Sequence, residues 1–252
     1  RDDYESRTGP GCERLSGRQD GAFELRQEQN VKESRMYVEI YSDMVCPWCF
    51  IGKRRFEQAL ETAGFGNQVH VTWRPFQLNP TMPKSGMDRR AYLEAKFGGA
   101  EARRAIEERL AKAGEADGIV FAFDKIARTP NTFEAHRLMW FAQQHKKQDD
   151  LAEALFRAYF SEGRDIGDGQ TLVDISEEIR FDRDEIRQFL ASEQGVEVVR
   201  EEEAAGHRLG IRGVPYFVLN GTYAISGAQP PDIFVSALQN AEVDRKEGKG
   251  GQ

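Results

Sequence analysis

Two cysteines, Cys46 and Cys49, stand three positions apart with Pro47 and Trp48 between them. A strand-like run at 37–41 precedes them and a helix-like run at 50–60 follows them. Two thiols in the first turn of a helix can face each other and close a small disulfide ring. The free N–H groups and the dipole of a helix N-terminus also favour a thiolate. This placement predicts a redox dithiol in which Cys46, nearer the helix start, attacks a disulfide and Cys49 resolves the mixed disulfide.

Two other interpretations of the cysteine pair are less favoured by the sequence. Both thiols would be inert if they were only buried core residues, but a strand-to-helix C-x-x-C with proline at its second position is typical of redox chemistry. A structural zinc site needs about four ligands. The third cysteine, Cys12, has no neighbouring partner, and none of the four histidines stands at a metal-ligand spacing from the pair. We therefore expect no metal and no organic cofactor.

The composition is that of a globular protein with an acidic balance. The 252 residues carry a formal net charge of −7, which argues against binding to a phosphate backbone. No run approaches the ~18 apolar residues of a membrane span, so no membrane partner is expected. Residues 1–35 are charged and poor in apolar side chains, which predicts a disordered leader, with Met36 as the hypothetical native start. The leader lacks the apolar stretch of a signal peptide, so we expect a cytoplasmic protein.

The elements that must position the cysteines follow from hydrophobic periodicity and turn signals. The predicted strands are 37–41, 69–76, 215–219 and 222–226. The predicted helices are 47–63, 89–97, 102–113, 133–144, 151–162, 172–179, 184–190, 196–209 and 231–241. An early β-α-β and a late β-β-α around a central sheet form an α/β, thioredoxin-like fold with a large all-helical insertion domain.

This order also predicts the domain organisation. Residues 36–79 and 211–242 would form the thioredoxin-like domain, and residues 80–210 the helical insertion domain. The disordered leader would occupy 1–35, and a frayed tail 243–252.

Six stretches of the chain together resemble the DsbA family, and within it the FrnE-like branch of intracellular disulfide oxidoreductases. They are residues 42–53, 73–80, 131–138, 165–168, 213–218 and 225–229. The resemblance implies a thiol–disulfide oxidoreductase that acts on protein or small-molecule thiols and disulfides. Glutathione is a possible recycling thiol.

The resemblance also implies roles for residues outside the C-x-x-C motif. Val214 and Pro215 match the family's cis-proline loop, which lies opposite the cysteines and presents the Val214 backbone to a substrate peptide. Pro47 and Trp48 would form part of the surface that a substrate meets. Glu39 is either an acid that assists proton transfer at Cys49 or an outward-facing, solvated side chain.

Two further residues, His136 and Pro215, have an interpretation that involves no catalytic or binding role. Within 131–138, His136 is expected to be a packing residue rather than a catalytic base. Pro215 would be an ordinary trans proline if the loop resemblance did not hold.

Two functional alternatives remain open at this point. Glutathione-dependent isomerases and kappa-class transferases resemble this architecture, but they use a serine where this chain has Cys46. A redox-independent, chaperone-like binding module would need no paired thiols. The sequence leaves the physiological substrate, the direction of catalysis and the oligomeric state open.

Overall fold

The computed structural model describes residues 35–248, in which a strand–helix–strand unit, a long insertion and a final hairpin and helix follow one another. Residues 1–34 of the predicted leader, with Cys12, and residues 249–252 of the predicted tail lie outside the described residues. The strands are β1 Met36–Ser42, β2 Val69–Pro75, β3 Met87–Asp88, β4 Arg128–Thr129, β5 Tyr216–Leu219 and β6 Tyr223–Ser226. The helices are α1 Pro47–Ala63, α2 Arg89–Phe97, α3 Ala100–Ala116, α4 Phe133–Gln144, α5 Gln148–Phe160, α6 Gly169–Glu178, α7 Arg183–Ala191, α8 Val196–Arg208 and α9 Pro231–Lys246.

The central sheet has the strand order β2-β1-β5-β6. β1 and β2 are parallel, with Met36 beside Val69 and Ser42 beside Pro75, and α1 makes the crossover that a parallel pair requires. β5 is antiparallel to both β1 and β6. The predicted thioredoxin-like fold is therefore confirmed.

Local turn chemistry fixes the ends of these elements. Gly64 adopts the left-handed conformation, with φ of 70°, and ends α1 where the sequence predicts its end. Asn220 and Gly221 have φ of 48° and 68°, and the Thr222 N–H donates to the Leu219 carbonyl at 3.0 Å. Positive φ at both central residues is the signature of a two-residue hairpin turn.

The core lies on both faces of the sheet. On one face α1 and α9 meet β5 through three phenylalanine rings, with centroids 5.5 Å apart for Phe56–Phe217 and 4.7 Å apart for Phe217–Phe234. On the other face α8 packs against Tyr41, so closely that a Cβ on Gly206 would come within 2.9 Å of the tyrosine ring. Helices α1 and α9 therefore cover one face of the sheet, and α8 from the insertion packs against the other.

The insertion between β2 and β5 is helical, as predicted, and α2 and α4 have the predicted bounds. It also contains the antiparallel pair β3–β4, with Met87 beside Thr129, which the sequence pattern does not reveal. Strands of two residues are too short to show an alternation. At the other end of the chain, α9 continues to Lys246 and so includes part of the predicted tail.

The described residues from Met36 onward form one compact unit. The division of this unit into a thioredoxin-like domain and an insertion domain stays a prediction. Within residues 35–248, no helix combines the length and the apolar character that crossing a membrane requires.

Arg137 joins α4 to the end of α7 through a buried guanidinium. The side chain is 3% exposed. It donates to the carbonyls of Ser192 at 2.6 Å, Gln194 at 2.8 Å and Phe189 at 3.3 Å, and pairs with Glu134 at 2.5 Å. It therefore binds backbone carbonyls at and just beyond the end of α7.

We expect Arg137→Met to lower the free energy of unfolding by about 3 kcal/mol, because it removes the donor of the Ser192 and Gln194 carbonyls and the partner of Glu134. The matched control is Arg187→Met. That arginine is exposed and pairs only with the neighbouring Asp184 among the described residues, so its loss should change stability by less than about 1 kcal/mol. Urea unfolding of both variants measures the difference, and equal effects would contradict the role given to Arg137.

Candidate redox site

Cys46 is the N-cap residue of α1 and Pro47 is its first helical residue. The Cys46 N–H donates to the Asp43 carbonyl at 2.9 Å, and the Cys49 N–H donates to the Cys46 carbonyl at 3.0 Å. No acidic residue lies in the first turn of α1. The first turn of α1 therefore contributes no carboxylate that would oppose the effect of its N–H groups on the cysteine motif.

The two cysteines are free thiols in different surroundings. Cys46 is 5% exposed and lines a cavity, whereas Cys49 is 1% exposed and does not. Burial, followed by the adjacent Cys46 thiol, raises the pKa of the Cys49 thiol well above its ordinary value, and the Ser42 hydroxyl and the Asp43 backbone only partly counteract this. Cys49 is therefore held as a protonated thiol, and Cys46 is the thiol that an external disulfide can reach.

The loop that precedes β5 lies directly against Cys46. The Val214–Pro215 peptide bond is cis. The Cys46 thiol donates to the Val214 carbonyl across 3.6 Å, although the two residues are 168 positions apart in the chain. The structure therefore brings the predicted residues Cys46, Val214 and Pro215 together at one place.

Gly52 allows α1 to approach this loop. A Cβ at this position would come within 2.9 Å of Pro215 Cγ and 3.4 Å of Phe217 Cζ. Because the proline ring is rigid, a larger side chain must displace either the helix or the loop.

We expect Gly52→Ala to lower the free energy of unfolding by about 1 kcal/mol, the middle of the range that two opposing effects give. Overpacking costs ~1 to 3 kcal/mol, and the higher helix propensity of alanine offsets ~1 kcal/mol. Gly169→Ala is the control, since a Cβ on this helical glycine would meet no atom within 4 Å. Urea unfolding compares the two, and equal stability of both variants would contradict the tight approach.

Trp48 is half-buried and lines the same cavity as Cys46. The cavity has a volume of about 470 Å³ and is enclosed by the first turn of α1, by α2 and α3, and by Val214. The guanidinium of Arg109, from α3, lies 5.5 Å from the centroid of the Trp48 ring. The predicted residues Pro47 and Trp48 therefore belong to the same surface as Cys46.

The sequence analysis did not single out Asp43, whose buried side chain lines the same cavity as Cys46. The Asp43 carboxylate accepts the Leu78 N–H at 2.7 Å through Oδ2, and its Oδ1 lies 3.6 Å from His136 Nε2. Asp43 Oδ1 and His136 Nε2 are both buried, and neither atom makes a hydrogen bond to a described residue. His136 is buried, as a packing residue would be, but its ring faces a carboxylate. Asp43 lies within the stretch 42–53 that carries the family resemblance, which is the signal that could have identified it.

Glu39 lies apart from this cluster. Its carboxylate accepts from Arg74 Nε at 2.8 Å, and Arg74 also pairs with Glu202 at 2.5 Å. The Glu39 side chain is 34% exposed, and the groups that act on the Cys49 thiol are Cys46, Ser42 and Asp43. The proton-transfer role stays a prediction, and the observed contacts agree better with its alternative, an outward-facing side chain.

The described part of the chain gives no support for a metal site. Residues 35–248 contain no group of three or more His, Cys, Asp or Glu side chains placed to hold a metal ion.

Sequence comparison identifies the family. The profile described as "DSBA-like thioredoxin domain" matches residues 37–239, which include the cysteine motif, the insertion and the proline loop. The Bacillus subtilis protein YwbO, itself described as uncharacterized, is 28% identical over 208 residues, which cover 82% of this chain and 98% of YwbO.

Structure comparison gives the same assignment. The probable DsbA oxidoreductase SCO1869 of Streptomyces coelicolor superposes with a TM-score of 0.78 at 35% identity, over 83% of this chain and 91% of that one. A 2-hydroxychromene-2-carboxylate isomerase superposes with a TM-score of 0.62 at 16% identity, over 86% and 100% of the two chains. The second likeness concerns the fold alone.

Proposed function

We propose that this chain, which belongs to the family of proteins with a DSBA-like thioredoxin domain, is a thiol–disulfide oxidoreductase. The six stretches that resemble the FrnE-like branch support the finer proposal that it is a member of that branch. The observation that carries the proposal is the position of the Cys46 thiol. It lies at the N-terminus of α1, on the wall of a cavity and against the Val214 carbonyl, with Cys49 buried behind it. This arrangement offers one thiol to a substrate and keeps the second for the internal step.

The reaction needs no group other than the two thiols. The Cys46 thiolate attacks one sulfur of a substrate disulfide, the substrate S–S bond breaks, and one substrate thiolate leaves. Cys49 then loses its proton and attacks Cys46 Sγ, which releases the second substrate thiolate and leaves a Cys46–Cys49 disulfide. Two electrons pass from the protein dithiol to the substrate, and the reverse sequence oxidises a substrate dithiol.

Substrates and recycling thiols are part of the same proposal. The Val214 backbone next to Cys46 is placed to pair with an extended peptide, which accommodates protein disulfides. The cavity accommodates small-molecule disulfides. Glutathione or another low-molecular-mass thiol would reduce the Cys46–Cys49 disulfide again. The expected cytoplasmic location rests on the sequence alone.

Mixing oxidised protein with a reduced dithiol peptide tests the proposal, in a Cys12→Ser background that removes the third thiol. We expect the peptide to become oxidised in a one-to-one ratio with loss of the Cys46–Cys49 disulfide, as read by mass spectrometry. Peptide oxidation that survives the double change Cys46→Ser, Cys49→Ser would contradict the proposal.

The same double variant separates the two alternatives. A glutathione transferase or isomerase would keep its conjugation or isomerisation activity in this variant, because its chemistry would not use the protein thiols. A chaperone-like module would keep its ability to suppress the aggregation of an unfolded client. For the wild-type protein we expect no conjugation, isomerisation or suppression of aggregation that is independent of Cys46 and Cys49.

A further inference from the structure

The cavity beside Cys46 has the size of a small-molecule site. Its volume of about 470 Å³ lies within the ~300 to 1,000 Å³ that is usual for sites holding small ligands. The insertion forms one side through α2 and α3, and the first turn of α1 forms the other. A molecule in this cavity would lie against the Cys46 thiol.

The cavity walls are mainly apolar. Leu93, Ile106 and Leu110 line its interior, with Leu78 and Phe97 as partly exposed side chains at 38% and 39%. Such walls favour a hydrocarbon or aromatic body over a fully hydrated one.

The charged side chains that line the cavity have an excess of positive charge. Four are cations, Arg89, Lys96, Arg103 and Arg109, against the two acids Asp43 and Glu107. Arg89 and Arg103 both pair with Glu107, at 2.6 and 2.5 Å. This excess of positive charge belongs to the cavity lining and not to the whole chain, which carries a net charge of −7.

Lys96 and Arg109 are the cations that have no acidic partner among the described residues. Their charges lie over aromatic rings instead: Arg109 is 5.5 Å from the Trp48 centroid, and Lys96 is 5.6 Å from the Tyr92 centroid. An anion that replaces water at Arg109 would gain a charge-assisted hydrogen bond without displacing a carboxylate of the protein. Because Arg109, Trp48 and Cys46 line the same cavity, that anion would lie in the cavity that the Cys46 thiol lines.

We propose that the small-molecule substrates of Cys46 are thiols and disulfides that carry a carboxylate on an apolar or aromatic body. Arg109 binds the carboxylate, Lys96 supplies the second positive charge of the cavity, and the apolar walls cover the body. This inference rests on the proposed function, since it concerns the substrate of the same dithiol. The reaction with such a disulfide gives two carboxylate-bearing thiols and the Cys46–Cys49 disulfide.

Two aromatic disulfides of similar size but different charge test the inference. 5,5′-Dithiobis(2-nitrobenzoate) has a carboxylate on each ring, whereas 4,4′-dithiodipyridine is uncharged at neutral pH. The reduced protein, in the Cys12→Ser background, is mixed with each in a stopped-flow instrument. The readout is the rate constant for the anionic disulfide divided by that for the neutral one.

We expect Arg109→Gln to lower this ratio roughly threefold, and Arg109→Gln with Lys96→Gln to lower it about tenfold, as the loss of partly solvated charge contacts implies. The matched control is Arg104→Gln, because Arg104 is exposed on the same helix α3, outside the cavity lining. It removes the same charge and should leave the ratio at the wild-type value.

The outcomes separate the inference from the proposed function. A ratio that is equal in all variants, or that Arg104→Gln lowers as much as Arg109→Gln, would overturn the inference while Cys46 still reacts with both disulfides. If neither disulfide converts the protein to the Cys46–Cys49 disulfide, as read by mass spectrometry, the proposed function itself fails.

Discussion

Replacement of Cys46 by serine is expected to lower the rate of disulfide reduction by roughly 10³-fold or more, because a neutral hydroxyl does not attack a disulfide sulfur. Cys49 offers no substitute. It is 1% exposed, it does not line the cavity, and burial raises the pKa of its thiol, so it forms little thiolate at neutral pH. The measurement is the initial rate with a small disulfide at neutral pH.

The control for Cys46→Ser is a test that the variant is still folded. Cys46 is an N-cap residue without a side-chain capping hydrogen bond, so serine at this position should leave α1 intact. The circular dichroism spectrum and the urea midpoint should therefore match those of the wild type. A Cys46→Ser protein that is folded and reduces disulfides at the wild-type rate would contradict the assignment of the nucleophile.

Replacement of Cys49 by alanine is expected to stop the reaction at the mixed disulfide. Cys46 can still attack, but the internal thiol that resolves the intermediate is gone. Because a neighbouring group held in place reacts with a high effective concentration, we expect resolution by external millimolar thiols to be ~100-fold slower or more. Mass spectrometry of the quenched mixture should show one substrate half bound to Cys46.

The order of the two steps makes this prediction specific. If the roles were reversed, Cys46→Ala would accumulate the mixed disulfide and Cys49→Ala would be inert. Turnover of Cys49→Ala at the wild-type rate, without a trapped intermediate, would show that the second thiol is not needed.

Sequence reasoning worked best where the signal is local. The proline after Cys46 and the glycine at position 64 bound α1, and Asn220-Gly221 fixes the hairpin, because a single φ angle or a missing N–H decides the structure there. The family stretches then placed the loop around Val214 near the cysteines.

The features that the sequence did not supply depend on tertiary contacts. Alternation along β1 separates two faces, but it does not say which face meets the cysteines, so the orientation of Glu39 stayed open. The contact of Asp43 with His136 joins residues 93 positions apart, and the contact of Arg109 with Trp48 joins residues 61 positions apart. Neither spacing is visible as a pattern, because each is set by how the insertion packs over α1.

A redox titration of the Cys46–Cys49 pair tests the central claim most directly. Protein with Cys12→Ser is equilibrated against glutathione buffers of graded potential, and its thiols are trapped with acid and counted by mass spectrometry. The proposed function predicts a single reversible two-electron transition that changes the protein mass by one disulfide and maps to Cys46 and Cys49. Absence of any Cys46–Cys49 disulfide across the whole range of buffers would contradict it.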